Sequence, residues 1–195
     1  TPLWSYSTGD DIRSVDISAD GEYVVAGSGD KVYLFGKDSS TPLWSYGAGG
    51  DLTLVAISAD GEYIAGSYDG SGSGGNHKVY LFDKGSSSPI WNYNIGDYID
   101  TISISADGEY IVAGSRNDKV YLFDKDSSTP LWSYSTGGDI LSVSISADGD
   151  YTTAGSVDNK VYLFDKDSST SRWSYTTGDA APVSTQEDGE YVVAG

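Results

Sequence analysis

The side chains with chemistry to offer in this 195-residue chain are carboxylates, one imidazole, and a few tyrosines and arginines. An aspartate stands at the head of a recurring segment, at Asp11, Asp51, Asp139 and Asp179, with Asp97 and Asp100 near the equivalent place in another copy. Gathered about one axis, these carboxylates would attract a hard cation such as Ca2+, which takes several oxygen ligands. Their crowding would otherwise raise their pKa values. The same residues also suit turn chemistry, each side chain bonding nearby backbone amides while facing water. The turn role is the expected one; no cofactor is expected, and Ca2+ is the alternative.

Catalysis has little to work with. A Ser-His-Asp arrangement would have to use His77, the single histidine. It stands at the end of a Gly/Ser-rich insertion, Tyr68 to His77, ill suited to fixing geometry, and is expected to be solvated. The "DKDSS" segments at Asp124, Asp126 and Ser128, and at Asp165, Asp167 and Ser169, lack the central Gly and distant Glu of an EF-hand loop. Gly36 and Gly85 interrupt the earlier copies. These segments are expected to be tight connections between strands.

Binding is better supported, because the copies differ from one another in a patterned way. The "ADGE" and "DKDSS" segments hardly change. By contrast, the head of the first strand of each copy varies at Arg13, Thr53, Asp100 and Leu141, and so does the link between its second and third strands, at Tyr68, His77, Arg116 and Val157. Fourteen of the 16 tyrosines hold repeated positions; Tyr68 and Tyr98 do not, and both lie in these variable connections. Tyr and Arg combine large contact area with directional hydrogen bonds and dominate binding energy at interfaces. Arg13, Thr53, Tyr68, His77, Tyr98, Asp100, Arg116, Leu141 and Val157 are therefore the candidate partner-binding residues.

The elements that must carry them repeat along the chain. Trp4, Trp44, Trp91, Trp132 and Trp173 recur about every 40 residues, the period of a propeller blade. Each copy reads as four short strands. The first ends at "ADG", where Asp20-Gly21, Asp60-Gly61, Asp107-Gly108, Asp148-Gly149 and Asp188-Gly189 supply a hairpin turn. The second is "EYVVAGS", the third "KVYLF", bulky on both faces, and the fourth "LWSY", with Trp and Tyr on one face. Such sheets cannot cover both faces alone; stacked radially they cover one another. The fold class expected is all-β, a β-propeller of four-stranded antiparallel blades, about five in this chain, as one domain over 1–195. The repeats run 1–40, 41–87, 88–128, 129–169 and a partial 170–195. The tryptophans are its structural anchors.

The copies are uneven. The second strand of the second copy, "EYIAGS", reads as one residue short, and the fifth copy replaces its first strand with "APVSTQ". In a ring closed by the chain ends, the last blade would lack its third strand, so either a five-bladed ring with one defective blade or an arc of a larger ring is expected. A start in phase with the repeat and without Met suits a processed or excised chain.

The string "ISADGEYIVAGSRNDKVYLFD" resembles a WD-repeat blade core, and "VYLFDKDSSTPLWSYSTG" resembles the tryptophan-docking signature of PQQ-like propeller repeats. Recently amplified propellers of this sort are similar to surface proteins of methanogenic archaea and to some bacterial sensors. The resemblance implies a fold and not an enzyme, since no positions match the cofactor residues of quinone-dependent dehydrogenases.

A net charge of −18 and a pI near 4.1 oppose binding to nucleic acid or to anionic membranes. No apolar run is long enough to span a bilayer, and the lack of cysteine rules out disulfides and thiol chemistry. The expectation is a non-enzymatic binding or scaffold module, extracellular or at the cell surface, that recognises a protein or glycan through one face. The alternatives are a structural component of a surface layer or filament and a carbohydrate-active enzyme.

Overall fold

A computed structural model describes residues 1–70, 76–179, 182–185 and 192–194. Four sheets of four antiparallel strands follow one another, each in simple meander order. The first holds β1 (Ile12–Ile17), β2 (Tyr23–Ser28), β3 (Lys31–Gly36) and β4 (Trp44–Gly47); the second β5 (Asp51–Ile57), β6 (Tyr63–Asp69), β7 (Lys78–Asp83) and β8 (Pro89–Asn94). The third holds β9 (Ile99–Ile104), β10 (Tyr110–Ser115), β11 (Lys119–Asp124) and β12 (Trp132–Ser135), and the fourth β13 (Ile140–Ile145), β14 (Tyr151–Ser156), β15 (Lys160–Asp165) and β16 (Trp173–Thr176). A fifth, two-stranded sheet pairs β17 (Val183–Thr185) with β18 (Val192–Ala194). The first strands of successive sheets pack on one another, so the sheets are blades fanned about an axis: a β-propeller.

The hairpin between first and second strands is fixed by its sequence. Gly21, Gly61, Gly108 and Gly149 adopt φ of 71°, 72°, 72° and 74°, which a side chain would strain. The preceding aspartate closes the turn: Asp20 Oδ1 accepts from the Ser18 hydroxyl at 2.6 Å and from the Glu22 amide at 2.9 Å. The buried Ser18 hydroxyl in turn accepts from the Tyr23 amide at 3.0 Å. The same bonds recur at Asp60, Asp107 and Asp148.

Third strands are buried on both faces, as their bulky runs require: Val32, Tyr33, Leu34 and Phe35 are all core, and so are their counterparts in β7, β11 and β15. Tryptophan joins the blades. The Trp44 indole donates to the Lys84 carbonyl at 2.7 Å and packs 5.5 Å from the Phe82 ring of the next blade. Trp91 with Lys125 and Phe123, and Trp132 with Lys166 and Phe164, repeat the joint. Amides stitch the same joints, Ala19 donating to the Ala59 carbonyl and Ala59 to the Ala106 carbonyl, both at 2.9 Å.

Two expectations change. The second strand of the second blade is not short: β6 runs to Asp69, because Tyr68 pairs with Leu52 on one side and Lys78 on the other and so prolongs the ladder into the insertion. The segment Leu3–Tyr6 belongs to no sheet; with no third strand beside it, its backbone lacks a ladder partner, and the fourth strands elsewhere begin at or near their tryptophan. It docks by its side chains instead, Trp4 donating to the Lys37 carbonyl at 2.6 Å and lying 5.4 Å from Phe35. Of the first strand expected over "APVSTQ" in the fifth copy, Val183–Thr185 is a strand, and Ala181 and Gln186 lie outside the described residues. The two chain ends share no sheet among the described residues.

Candidate interaction face

The heads of the first strands and the links from second to third strands lie at one end of the blades, and the pairing shows how the variable residues are displayed there. In β1, Ile12 pairs with Ser28 and Ser14 with Gly27, so Arg13 is an extra residue opposite nothing. The same irregularity leaves out Thr53 between Leu52 and Leu54, Asp100 between Ile99 and Thr101, and Leu141 between Ile140 and Ser142. A bulge of this kind interrupts the ladder and re-aims a side chain. In all four complete blades the residue type at the bulged position changes from copy to copy. The Thr53 side chain lies outside the described residues, whereas Leu141 is exposed.

The links are organised just as regularly. In Arg116-Asn117-Asp118 and Val157-Asp158-Asn159 the third residue is left-handed, with φ of 64° in both. The middle residue is tied down: Asn117 donates to the Tyr121 hydroxyl at 2.8 Å, and Asp158 accepts from the Tyr162 hydroxyl at 2.5 Å. Burial, followed by this bond to Asp158, pushes the Tyr162 phenol up. The first residue, Arg116 or Val157, is exposed in both.

Over the joint between the second and third blades four candidates meet. His77 Nδ1 lies 3.1 Å from Asp69 Oδ1, and the His77 ring is 4.6 Å from that of Tyr98. The Arg116 guanidinium sits 5.0 Å from the Tyr98 ring centre, and its Nε and Nη2 donate to Asp100 at 2.7 and 3.0 Å. The Arg116 amide also donates to the Tyr98 carbonyl at 2.9 Å. The hydrogen bond to Asp100, with attraction from Asp100 and then Asp139, raises the Arg116 pKa. Tyr98 stays 42% exposed within this row, and His77 only 7%. The histidine is thus packed, not solvated as its Gly/Ser neighbours led one to expect, because the extended β6 brings Asp69 beside it. Asp69 was missed in the sequence for the same reason: its strand was read as ending before it.

Arg13 and Tyr68 stand apart from that row. Arg13 reaches Asp51 of the next blade at 3.3 Å. Tyr68 is partly buried, its ring 6.4 Å from that of Tyr80, whose phenol is pushed up to about 12 chiefly by burial. Of the aspartates considered for a cation, Asp51 faces Arg13 and Asp139 adds to the field at Arg116. Among the described residues no three acidic or imidazole groups gather as a metal site would need.

The opposite end is uniform. Lys37 pairs with Glu22, Lys84 with Glu62, Lys125 with Glu109 and Lys166 with Asp150, the same pair in every complete blade. The "DKDSS" segments are tight turns, Asp124 Oδ1 accepting from the Asp126 amide at 2.7 Å.

Residues 75–195, more than half of the chain, match the PQQ_2 family, described as outer membrane protein assembly factor BamB. The chain belongs to the PQQ_2 family. Residues 1–35 are also similar to the WD domain, G-beta repeat. No curated protein matches the chain.

Proposed function

We propose that this PQQ_2 propeller is a non-enzymatic interaction module that holds a protein partner against its bulge-and-link face, with Tyr98 and Arg116 at the centre of the contact. One observation carries the reading: the residue type varies at the bulged position of all four complete blades, while the opposite end keeps one lysine–carboxylate pair in each. Exposed loops at both ends would drift alike if drift were the cause. Tyr98 and Arg116 are held in place by Asp100 and the His77 ring, so little side-chain freedom is lost on binding. The family's description, an assembly factor for outer membrane proteins, also names work done on proteins. An acidic, cysteine-free surface suits a location outside the cell or on its surface.

Quantitative capture from a cell extract tests this with three baits: the native chain, Tyr98→Ala/Arg116→Ala, and Glu62→Ala/Lys84→Ala from the uniform end. The expected result is a partner retained by the first and third baits and lost by the second. Loss with the uniform-end variant alone would overturn the assignment. A glycan array probed with the same chains distinguishes a carbohydrate partner, and polysaccharide hydrolysis by the native chain would replace the reading with an enzymatic one.

A further inference from the structure

The fourth blade repeats the geometry of the third with different chemistry. In the third, the bulged Asp100 and the first link residue Arg116 lie side by side, joined by hydrogen bonds of 2.7 and 3.0 Å. The register is the same in the fourth: Ile140 pairs with Ser156 as Ile99 does with Ser115, and the Val157 amide donates to the Asp139 carbonyl at 2.9 Å as the Arg116 amide does to that of Tyr98. Leu141 and Val157 therefore hold the places of Asp100 and Arg116, and Asp139 holds that of Tyr98. An ion pair in one blade is an aliphatic pair in the next.

Leu141 and Val157 are 44% and 48% exposed, and neither belongs to a buried cluster among the described residues. A single exposed aliphatic side chain needs no explanation; two set together where the neighbouring blade carries its Arg116–Asp100 pair make a small apolar platform. The charge beside it is negative. Arg116 spends its Nε and Nη2 on Asp100, which compensates its charge, whereas Asp139, close enough to act on Arg116, forms no ion pair among the described residues. With a net charge of −18, the whole chain attracts cationic partners and repels anionic ones.

We propose that the partner meets this face with a short segment that combines a lysine or arginine, received by Asp139, with an aliphatic or aromatic side chain laid on Leu141 and Val157. The inference rests on the reading of the bulge-and-link face and names the chemistry of what binds there. Complementarity selects the occupant. An acidic segment would meet Asp139 and the field of the whole chain with like charge, and a wholly polar one would lose water over Leu141 and Val157 with no apolar contact in return. Arg116 stands between Tyr98 and Asp139, so one segment can run from the aromatic ring to the apolar platform.

Arrays of short random peptides in three sets test it: Lys or Arg with Leu, Ile, Val or Phe; the same apolar residues with Asp or Glu; and Lys or Arg with Ser in place of the apolar residues. They are probed with the native chain, Leu141→Ser/Val157→Ser, Asp139→Asn and Tyr98→Ala/Arg116→Ala. Leu141 and Val157 face water and Asp139→Asn keeps the side-chain shape, so those two variants should melt as the native chain does. The native chain is expected to bind the first set about tenfold better than either of the others. Leu141→Ser/Val157→Ser should lose the advantage of the first set over the third, and Asp139→Asn should reduce its advantage over the second. A native chain that binds no set or prefers the second, or variants that keep both preferences, would overturn the inference. Peptides lost by Tyr98→Ala/Arg116→Ala yet selected as before by the other two variants would overturn it while leaving the proposed function standing. Peptides kept by Tyr98→Ala/Arg116→Ala and lost by the other two would uphold it and remove Tyr98 and Arg116 from the centre of the contact.

Discussion

Thr152 shows what one atom does in a blade core. Its position is Val24, Ile64 and Ile111 in the other blades, and its hydroxyl is buried with no hydrogen-bond partner. Burying an unpaired hydroxyl costs about 1–3 kcal/mol. Thr152→Val should therefore stabilise the chain by about 1 kcal/mol, seen as a rise in melting temperature of about 2–4 °C for a domain of this size. Asp148 illustrates the opposite case, a polar group that is satisfied. Its pKa is lowered from 3.8, first by the Ser146 hydroxyl and then by the Asp150 amide. A carboxyl depressed by folding adds stability that is complete above its unfolded value and is lost as the pH falls through the folded one. Ser146→Ala should thus destabilise at neutral pH and flatten the loss of stability below about pH 4, which denaturant titrations at a series of pH values would measure.

Among the elements, the fourth strand with its tryptophan sets the strength of each joint. Trp132 is 7% exposed against Phe164, whereas Trp173 is 40% exposed with no described third strand beyond it. Trp132→Ala should cost about 3–5 kcal/mol and Trp173→Ala clearly less, a difference that urea midpoints would resolve. These strands were legible in the sequence because period and chemistry agree: an Asp-Gly turn needs its positive φ, and "KVYLF" needs cover on both faces. The bulges were not legible. Arg13 and Thr53 show the variation, but nothing in a one-dimensional string says that the ladder skips them; that comes from the register of β1 on β2 and of β5 on β6. Nor could the sequence show His77 against Asp69, since their meeting depends on Tyr68 pairing with Lys78 rather than opening the loop.

At the scale of the whole molecule, similar blades differ in a patterned way at one end. Their joints repeat the tryptophan–phenylalanine contact, and their turns at the other end carry one Lys–acid pair per blade. The residue types differ at the bulged positions and at the first residue of the links, and these lie at one end of the blades. That separation of a constant scaffold from a variable end is the central claim. It is tested most directly by site-specific photo-crosslinking, with benzoylphenylalanine in place of Tyr98 in one chain and of Glu62 in another, each exposed to the same captured partner. A covalent adduct from position 98 and none from position 62 is the expected result; an adduct from position 62 with none from position 98 would contradict it.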